Sequence, residues 1–427
     1  MSAECACGPQ GVAATSGLMA LTGRADGPPL SVPPGVVTAA LGYAQDIARL
    51  TDGAVDLDGP ALLGERAALE GLRRRGPWSA GGRTRAIRTA DGWVAVSLAR
   101  DTDRDAVPAV VSDDTIGDPW QQLSSWSAVR PCAEVVERAT LLEVPAATIP
   151  SAPLEAVGPA VAREPIGSSL APSAFEAAVR GRPLVVDLSS LWAGPLCAHV
   201  LGLAGHRVVK VESVGRLDAA RWGNPRLYAT LHSGHESVLL DFTRGEGRAR
   251  LRSLVRAADV VIEASRPRAL RALGISPEQD LAQGATWVGI TAHGREGASG
   301  VRVGFGDDVA AGAGGWVVDP ATGEPLPTGD ALADPLTGLA AAVAVLQGRD
   351  RPGRELLDVT MSAVVAAAVG AAVTPVATAT SERAGGWFFD GAGCTHEVLS
   401  PRGRPARGVA SGPGADTDRV LAEIGSR

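Results

Sequence analysis

Short apolar strands that alternate with helices fill the second half of the chain and constrain its fold more than any other feature. Five segments have the length and apolar character of buried strands: PLVVDLSS (183–190), HRVVKVES (206–213), SVLLDF (237–242), DVVIEAS (259–265) and WVGITAHG (287–294). Helical stretches such as GEGRARLRSLVRAA lie between them. This alternation predicts an α/β fold with a doubly wound, Rossmann-like parallel sheet.

The first half of the chain has a different pattern and predicts a smaller domain. Residues 1–30 are rich in Gly and Ala, so we expect a loose N-terminus. Residues 31–150 predict a small α+β domain, with a β-hairpin over 84–99 that turns at Asp91-Gly92. The Pro/Ala/Ser-rich stretch 151–180 predicts a linker, and residues 181–427 predict the Rossmann-like domain with a C-terminal tail.

Composition limits the classes of function. The 427 residues carry a net charge of −7 without long runs of either sign, so we expect no nucleic-acid partner. The Ala/Val-rich stretches are too short or too interrupted to span a bilayer, and no signal-peptide pattern is present, which predicts a cytoplasmic protein without a membrane partner. The six histidines show no metal-ligand spacing, so no metal site is predicted. The turn SSLWAGP lacks the glycines of a dinucleotide-binding loop.

The segment TGDALADPLTG (328–338) places two carboxylates just before an apolar helix. Asp334 directly precedes Pro335, which predicts that Asp334 is the N-cap and Pro335 the first helical residue. A carboxylate at a helix N-terminus is favoured in its ionised form, and an acid that acts as a nucleophile must be ionised. The residues alone leave both a structural cap and a nucleophile open.

Five segments between 183 and 362, taken in order, resemble the class III CoA-transferases (CaiB/BaiF type). This family includes formyl-CoA transferase, carnitine CoA-transferase and α-methylacyl-CoA racemase. The segments are VVDLSSLWAGPLCAHVLGLAGHRVVKVE, SGHESVLLDFTRGEGRARLRSLVRAADVVIEASRPRALRALGI, GITAHGREG, FGDDVAAGAGG and ALADPLTGLAAAVAVLQG. The small-domain-like segments RTRAIRTADGWVAVSLA and LLEVPAATI come first, whereas the family places them after the nucleophile half.

The resemblance implies an enzyme that transfers CoA between an acyl-CoA and a carboxylic acid. It places the catalytic aspartate on Asp334, which forms a mixed anhydride and then an aspartyl-CoA thioester. CoA is then a substrate, no cofactor is permanently bound, and a homodimer is expected. Gly81 and Gly82 are candidates for an oxyanion-stabilising loop, with an ordinary Gly-Gly turn as the alternative. The implied CoA-contacting residues are Leu191, Trp192, Ala193, Arg216, Ala264, Ser265, Arg266 and Leu273.

Two other functions stay open at this point. Asp307 occupies the position of the histidine base in racemases of the family, so it is a candidate acid/base for an acyl-CoA α-racemase or isomerase. Where the family commonly has a basic residue and an Asn-Phe pair, this chain has His235 or Glu236 and Ala264-Ser265. These departures motivate a third hypothesis, a non-catalytic subunit that binds acyl-CoA or a partner.

Overall fold

A central parallel sheet organises the protein. The computed structural model describes residues 8–113, 117–152, 159–167, 182–282, 284–349, 351, 353–370, 380–383, 385–391 and 393–425. Within these, the strands are β1 Thr84–Arg88, β2 Trp93–Ser97, β3 Ala146–Thr148, β4 Val161–Ile166, β5 Leu184–Asp187, β6 Arg207–Ser213, β7 Glu236–Leu240, β8 Val260–Glu263, β9 Thr286–Thr291, β10 Val317–Val318, β11 Pro325–Leu326, β12 Arg354–Thr360, β13 Thr380–Arg383, β14 Gly386–Gly391 and β15 Cys394–Glu397.

Seven of these strands form the main sheet in the order β4-β12-β9-β8-β5-β6-β7. All neighbours run parallel except β4, which pairs antiparallel with β12 at the edge. The predicted α/β class with a mostly parallel sheet is therefore confirmed. From β5 the sheet continues to β6 on one side and to β8 on the other, and such a switch point is where open α/β sheets bind ligands.

The α-helices of the described residues pack on this sheet or on the smaller sheets. They are α1 Gly8–Ser16, α2 Pro34–Leu50, α3 Gly59–Leu62, α4 Glu65–Glu70, α5 Asp101–Asp105, α6 Val107–Val111, α7 Pro119–Ser127, α8 Cys132–Leu141, α9 Ala193–Leu203, α10 Ala220–Gly223, α11 Pro225–His232, α12 Gly245–Ala257, α13 Pro267–Ala272, α14 Pro277–Asp280, α15 Gly306–Gly312, α16 Ala333–Gly348, α17 Met361–Val369 and α18 Thr417–Gly425. None of the helices in the described ranges is long and apolar enough to cross a lipid bilayer.

Helices cover both faces of the main sheet, which explains why its strands are apolar on both sides. In β5, Val185 faces a core that also contains residues of α2, α9, α16 and α17. Its neighbours Leu184 and Val186 face a second core with α12. Helix α9, which follows β5, lies against α16. Helix α16 carries Asp334 in its first turn.

A separate antiparallel sheet, β1-β2-β3, has its own core with α6, α7 and α8. The predicted hairpin is confirmed: Arg88 pairs with Trp93 across a turn that contains Asp91 and Gly92. The C-terminal end of β2 approaches α15, where Ser97 Oγ donates a hydrogen bond to Asp308 at 2.6 Å. This contact joins the small sheet to the main core.

Three expectations about the first half of the chain differ from the structure. The predicted loose N-terminus is wrong for residues 8–30, because Ala13, Ala14 and Leu18 are fully buried in the main core. Helix α2, expected in the small domain, packs on α16 in that same core. The predicted linker contains strand β4, the edge of the main sheet, while residues 153–158 and 168–180 lie outside the described part.

Candidate functional site

Asp334 lies where the N-termini of two helices meet. Helix α16 begins at Ala333, with Leu332 before it, so Asp334 belongs to the first helical turn and the predicted N-cap role is wrong. Its carboxylate instead accepts a hydrogen bond from the backbone N–H of Ala193, the first residue of α9. The side chain is partly exposed. A carboxylate that solvent can reach and that two helix N-termini face is suited to act on a ligand.

Gly306 provides the space that the Asp334 carboxylate occupies. A Cβ atom at residue 306, the first residue of α15, would lie 2.0 Å from Asp334 Oδ2 and 2.6 Å from the carbonyl oxygen of Ala331. The backbone of a third helix N-terminus therefore contacts the carboxylate directly. Gly338, one turn after Asp334, likewise allows the carbonyl of Ala193 to approach α16.

Two residues other than glycine adopt left-handed backbone conformations beside the site. Leu191 has φ 72° in the turn that leads into α9, and Ala331 has φ 45° in the turn that leads into α16. Such conformations cost free energy and persist where the surrounding structure enforces them. The strained residues therefore lie in the two turns, before α9 and before α16, whose backbone groups contact Asp334.

A buried ion network holds the turn between β5 and α9. Lys210 is the only lysine of the chain and is 1% exposed. Its Nζ donates a hydrogen bond to the carbonyl of Ser189 and lies 3.2 Å from Asp218 Oδ2. The Asp218 carboxylate in turn accepts the backbone N–H of Leu191 at 3.2 Å. The network thus fixes the turn that presents Leu191, Trp192 and Ala193.

Arg66 brings a positive charge to this cluster from α4. Its Nε donates a hydrogen bond to Asp330 Oδ2 at 2.8 Å, and its Nη2 donates to Asp330 Oδ1. Its guanidinium carbon lies 5.5 Å from the centre of the Trp192 ring. Asp330, to which the sequence assigned no role, is fully buried and bound bidentately by this arginine.

The acidic side chains of the cluster are hard to ionise. Burial, reinforced by the charges of Asp307 and Asp330 and opposed by Arg66, raises the pKa of Asp334 to about 7. Burial and the charge of Asp330 raise the pKa of Asp307 to about 6. Burial raises the pKa of Asp308 to about 7, although Ser97 donates to it. The helix N-terminus favours the ionised form of Asp334, as the sequence predicts, but desolvation outweighs this effect and the pKa of Asp334 rises.

The predicted glycine loop reaches the acidic cluster. Gly82 has φ 68°, a left-handed conformation that favours glycine. A Cβ atom at Gly81 would lie 3.4 Å from Nη2 of Arg66. Ser79, from the same loop, donates a hydrogen bond to Asp307, whose Oδ1 also accepts the backbone N–H of Ala331 at 2.9 Å. The loop thus contacts residues that surround Asp334.

The other candidate CoA contacts lie around the ends of neighbouring strands. Ala264, Ser265 and Arg266 follow β8, which pairs with β5. Arg266 is engaged in an ion pair with Glu143 at 2.5 Å, near the small sheet.

The two remaining candidates differ in exposure. Arg216 is exposed in the turn after β6, where solvent or a ligand can reach its guanidinium. Leu273 follows α13 and packs against the core that contains α12, so its side chain contributes to packing there.

Sequence reasoning missed Arg66, Asp330 and Gly306 as parts of the site. Arg66 is separated from Asp330 by 264 residues, and no local pattern relates the two.

No group of three or more His, Cys, Asp or Glu side chains in the described ranges is arranged to hold a metal ion. The arrangement is instead a partly exposed carboxylate among other acids, one arginine and backbone N–H groups, which suits nucleophilic or acid–base chemistry.

Residues 183–386 match a protein-family model described as CoA-transferase family III. An acyl-CoA transferase of Fusarium pseudograminearum is 30% identical over 191 residues, which cover 40% of this chain and 42% of that protein. Human succinyl-CoA:glutarate CoA-transferase is 30% identical over 175 residues, covering 38% of this chain and 40% of that enzyme. The chain thus spans about two fifths of the length of these relatives.

Among solved structures, the crystal structure of the protein Rv3272 from Mycobacterium tuberculosis aligns with 32% sequence identity. The alignment covers 43% of this chain and 55% of that chain, with a TM-score of 0.39. The matched family segment contains the turn 191–193, Asp307, Asp330 and Asp334, but not Arg66 or the glycine loop.

Proposed function

We propose that the chain transfers CoA from an acyl-CoA to a carboxylic acid, with Asp334 as the covalent nucleophile, because residues 183–386 match the model of CoA-transferase family III. The observation that carries the proposal is the position of Asp334. It is partly exposed, at the meeting point of α9 and α16, within the segment that matches the family.

In the first half-reaction, a carboxylate oxygen of Asp334 attacks the thioester carbonyl of the donor. The C–S bond breaks, CoA leaves as the thiolate, and a mixed anhydride joins Asp334 to the acyl group. The thiolate then attacks the Asp334 carbonyl carbon. The donor acid leaves with one oxygen that belonged to Asp334, and Asp334 becomes an aspartyl-CoA thioester.

In the second half-reaction, the acceptor carboxylate attacks this thioester and releases the thiolate again. A new mixed anhydride forms between Asp334 and the acceptor. The thiolate attacks the acceptor's carbonyl carbon, which yields the new acyl-CoA and restores the Asp334 carboxylate. One oxygen of the restored carboxylate comes from the acceptor acid, so the reaction is balanced without a further reactant.

Each addition step develops negative charge on a carbonyl oxygen, which fixed N–H donors stabilise. We assign this role to the backbone N–H of Gly81, since the loop contacts Arg66 and, through Ser79, Asp307. The N–H of Gly82 donates instead to the Ser79 carbonyl at 2.8 Å and shapes the loop. For CoA we assign the edge of the sheet where β5, β6 and β8 end. Leu191 is 36% exposed there, and Arg216 offers an exposed guanidinium for phosphate.

The test is to trap the acylated enzyme. The chain is incubated with acetyl-CoA or succinyl-CoA and hydroxylamine, then digested and analysed by mass spectrometry. We expect a hydroxamate on Asp334 and release of one equivalent of CoA. Because the single lysine is buried, acylation of surface lysines does not complicate the measurement.

Transfer is then measured with the same donors and a panel of acids that includes glutarate, an acid named for the human relative. We expect Asp334→Ala to lose transfer by at least about 1,000-fold. The matched control is Asp52→Asn, an exposed residue with φ 50° where asparagine is well tolerated. Transfer by Asp334→Ala at the wild-type rate refutes the proposal. Tight binding of acyl-CoA without any turnover supports the non-catalytic alternative.

A second candidate function, α-proton exchange, is favoured by one observation: Asp307 directly follows Gly306, where a Cβ atom would lie 2.0 Å from Asp334 Oδ2, so the two acids are neighbours in the site. Two carboxylates with pKa values of about 6 and 7 are suited to remove and return a proton near neutral pH. Deuterium incorporation at the α-carbon of 2-methylacyl-CoA in D2O, without any acceptor acid, supports this function. Transfer without deuterium incorporation excludes it.

A further inference from the structure

The Arg66–Asp330 ion pair joins the N-terminal helices to the segment that carries the nucleophile. Arg66 belongs to α4 and lies outside the segment that matches the family model. Two of its nitrogens bind the two oxygens of Asp330, a bidentate arrangement that fixes the guanidinium in position and orientation. Asp330 lies four residues before Asp334, so the ion pair places a cation beside the first turn of α16.

The guanidinium is confined on its other sides as well. The Trp192 ring lies 5.5 Å away, and Trp192 directly precedes Ala193, whose N–H binds Asp334. The glycine loop borders it, since a Cβ atom at Gly81 would come within 3.4 Å of Nη2. Arg66 is thus held by three separate chain segments, and its side chain keeps 18% of its surface exposed.

Arg66 is a positive charge among the negatively charged side chains that surround Asp334. Asp307, from α15, and Asp330, from the loop before α16, both oppose ionisation of Asp334, and Arg66 is the cation that favours it. The same arginine also favours ionisation of Asp307. Charges that act on each other at a partly buried site are little screened by solvent.

We propose that Arg66 is the positioning residue that holds Asp334 in its ionised, nucleophilic form, and that Asp330 anchors Arg66 for this task. The inference rests on the proposed function, because it assigns Arg66 to the activation of the proposed nucleophile. Arg66 does not exchange atoms with the substrate. It acts through Asp334, so its effect is a change in the pH at which Asp334 reacts.

The two members of the pair have opposite expected effects. In Arg66→Gln the cation is lost, and the pH midpoint of Asp334 acylation rises by about one to two units. In Asp330→Asn one repelling negative charge is lost while the amide oxygen still accepts a hydrogen bond from Arg66, so the midpoint falls. Arg66→Lys keeps the charge without the bidentate contact and gives a smaller upward shift. Arg73→Gln, at an exposed arginine just beyond α4, is the matched control and leaves the midpoint unchanged.

The experiment measures the rate of Asp334 hydroxamate formation from pH 5.5 to 9 with succinyl-CoA as the probe. Arg66→Gln leaves Asp330 buried without its partner, which can unfold the protein. The double variant Arg66→Gln/Asp330→Asn therefore accompanies it, because it removes both charges and leaves no uncompensated one. If Arg66 has a purely structural role, every variant forms less hydroxamate but keeps the wild-type pH midpoint of hydroxamate formation. That result overturns the proposal.

A second readout does not depend on acyl transfer. Carbodiimide-promoted coupling of an amine requires a protonated carboxyl group, so coupling to Asp334 as a function of pH reports its ionisation. If the wild type forms the hydroxamate and all variants have the same pH midpoints, Arg66 does not have the proposed role. The proposed function then stays intact. Absence of hydroxamate with shifted carbodiimide midpoints refutes the proposed function and supports the electrostatic role of Arg66.

Discussion

Replacement of Gly306 by alanine tests whether the position of the Asp334 carboxylate governs activity. The backbone of Gly306 is not left-handed, so alanine is conformationally permitted there. Its Cβ atom, however, would lie 2.0 Å from Asp334 Oδ2, 2.6 Å from the Ala331 carbonyl oxygen and 2.9 Å from the Ala331 Cβ. The new methyl group therefore collides with both the nucleophile and the turn that precedes it.

The size of the effect follows from these distances. Real Cβ contacts essentially never fall below 3.0 Å, so the carboxylate must move by about 1 Å. The Ala331 backbone is already held at φ 45° and offers little relief. Misplacement of a reacting group by 1 Å costs about 100-fold in rate. Insertion of a methyl group into a packed site costs about 1–3 kcal/mol of unfolding free energy.

Gly42→Ala is the control, since a Cβ there meets nothing within 4 Å in the middle of α2. It is expected to keep full activity and to gain about 0.5–1 kcal/mol of stability. Initial rates of CoA transfer and urea unfolding are measured for both variants. A folded Gly306→Ala protein that forms the Asp334 hydroxamate at the wild-type rate refutes the reasoning.

Three further predictions concern the ionisation of Asp334 and the ion pair between Glu65 and Arg404. The acylation rate of the wild type rises about tenfold per pH unit below the Asp334 pKa of about 7 and levels off above it, as stopped-flow measurement of CoA release will show. Because the pKa of Asp334 is raised on folding, its contribution to stability is present below about pH 4 and is lost as the pH rises through 7. The Tm of Asp334→Asn relative to wild type should therefore increase between pH 5 and pH 8, and a constant difference contradicts the raised pKa. Glu65→Ala removes a buried partner of Arg404, held at 2.6 Å, and should lower the unfolding free energy in urea by about 2–3 kcal/mol, whereas no change excludes a stabilising role for this pair.

The sequence predicts β5, β6, β7, β8 and β9 of the main sheet because each of these strands is a compact apolar run bounded by turn residues. The hairpin of β1 and β2 follows from local alternation and an Asp-Gly turn in the same way. Strand β4 is different: Val161–Ile166 contains Arg163, Glu164 and Pro165, and pairs only at the edge of the sheet. Its pairing partner β12 lies nearly 200 residues away, so tertiary contacts decide its structure and local composition does not.

The same distinction applies to the site. Asp334 is identifiable because the helix that follows and the family pattern are both local. Arg66 is not, because its role depends on an ion pair that closes a span of 264 residues. The pKa of Asp334 also cannot be predicted from its helix position. It depends on burial and on Asp307, Asp330 and Arg66, whose proximity only the fold creates.

Transfer of an oxygen isotope tests covalent catalysis by Asp334 most directly. The chain is allowed to turn over acetyl-CoA or succinyl-CoA with a panel of ¹⁸O-labelled acids that includes glutarate, and the peptide with Asp334 is weighed after digestion. One ¹⁸O atom should enter the Asp334 carboxyl group in the first turnover, because the acceptor acid leaves one of its oxygens there. New labelled acyl-CoA formed without any ¹⁸O in Asp334 contradicts the account.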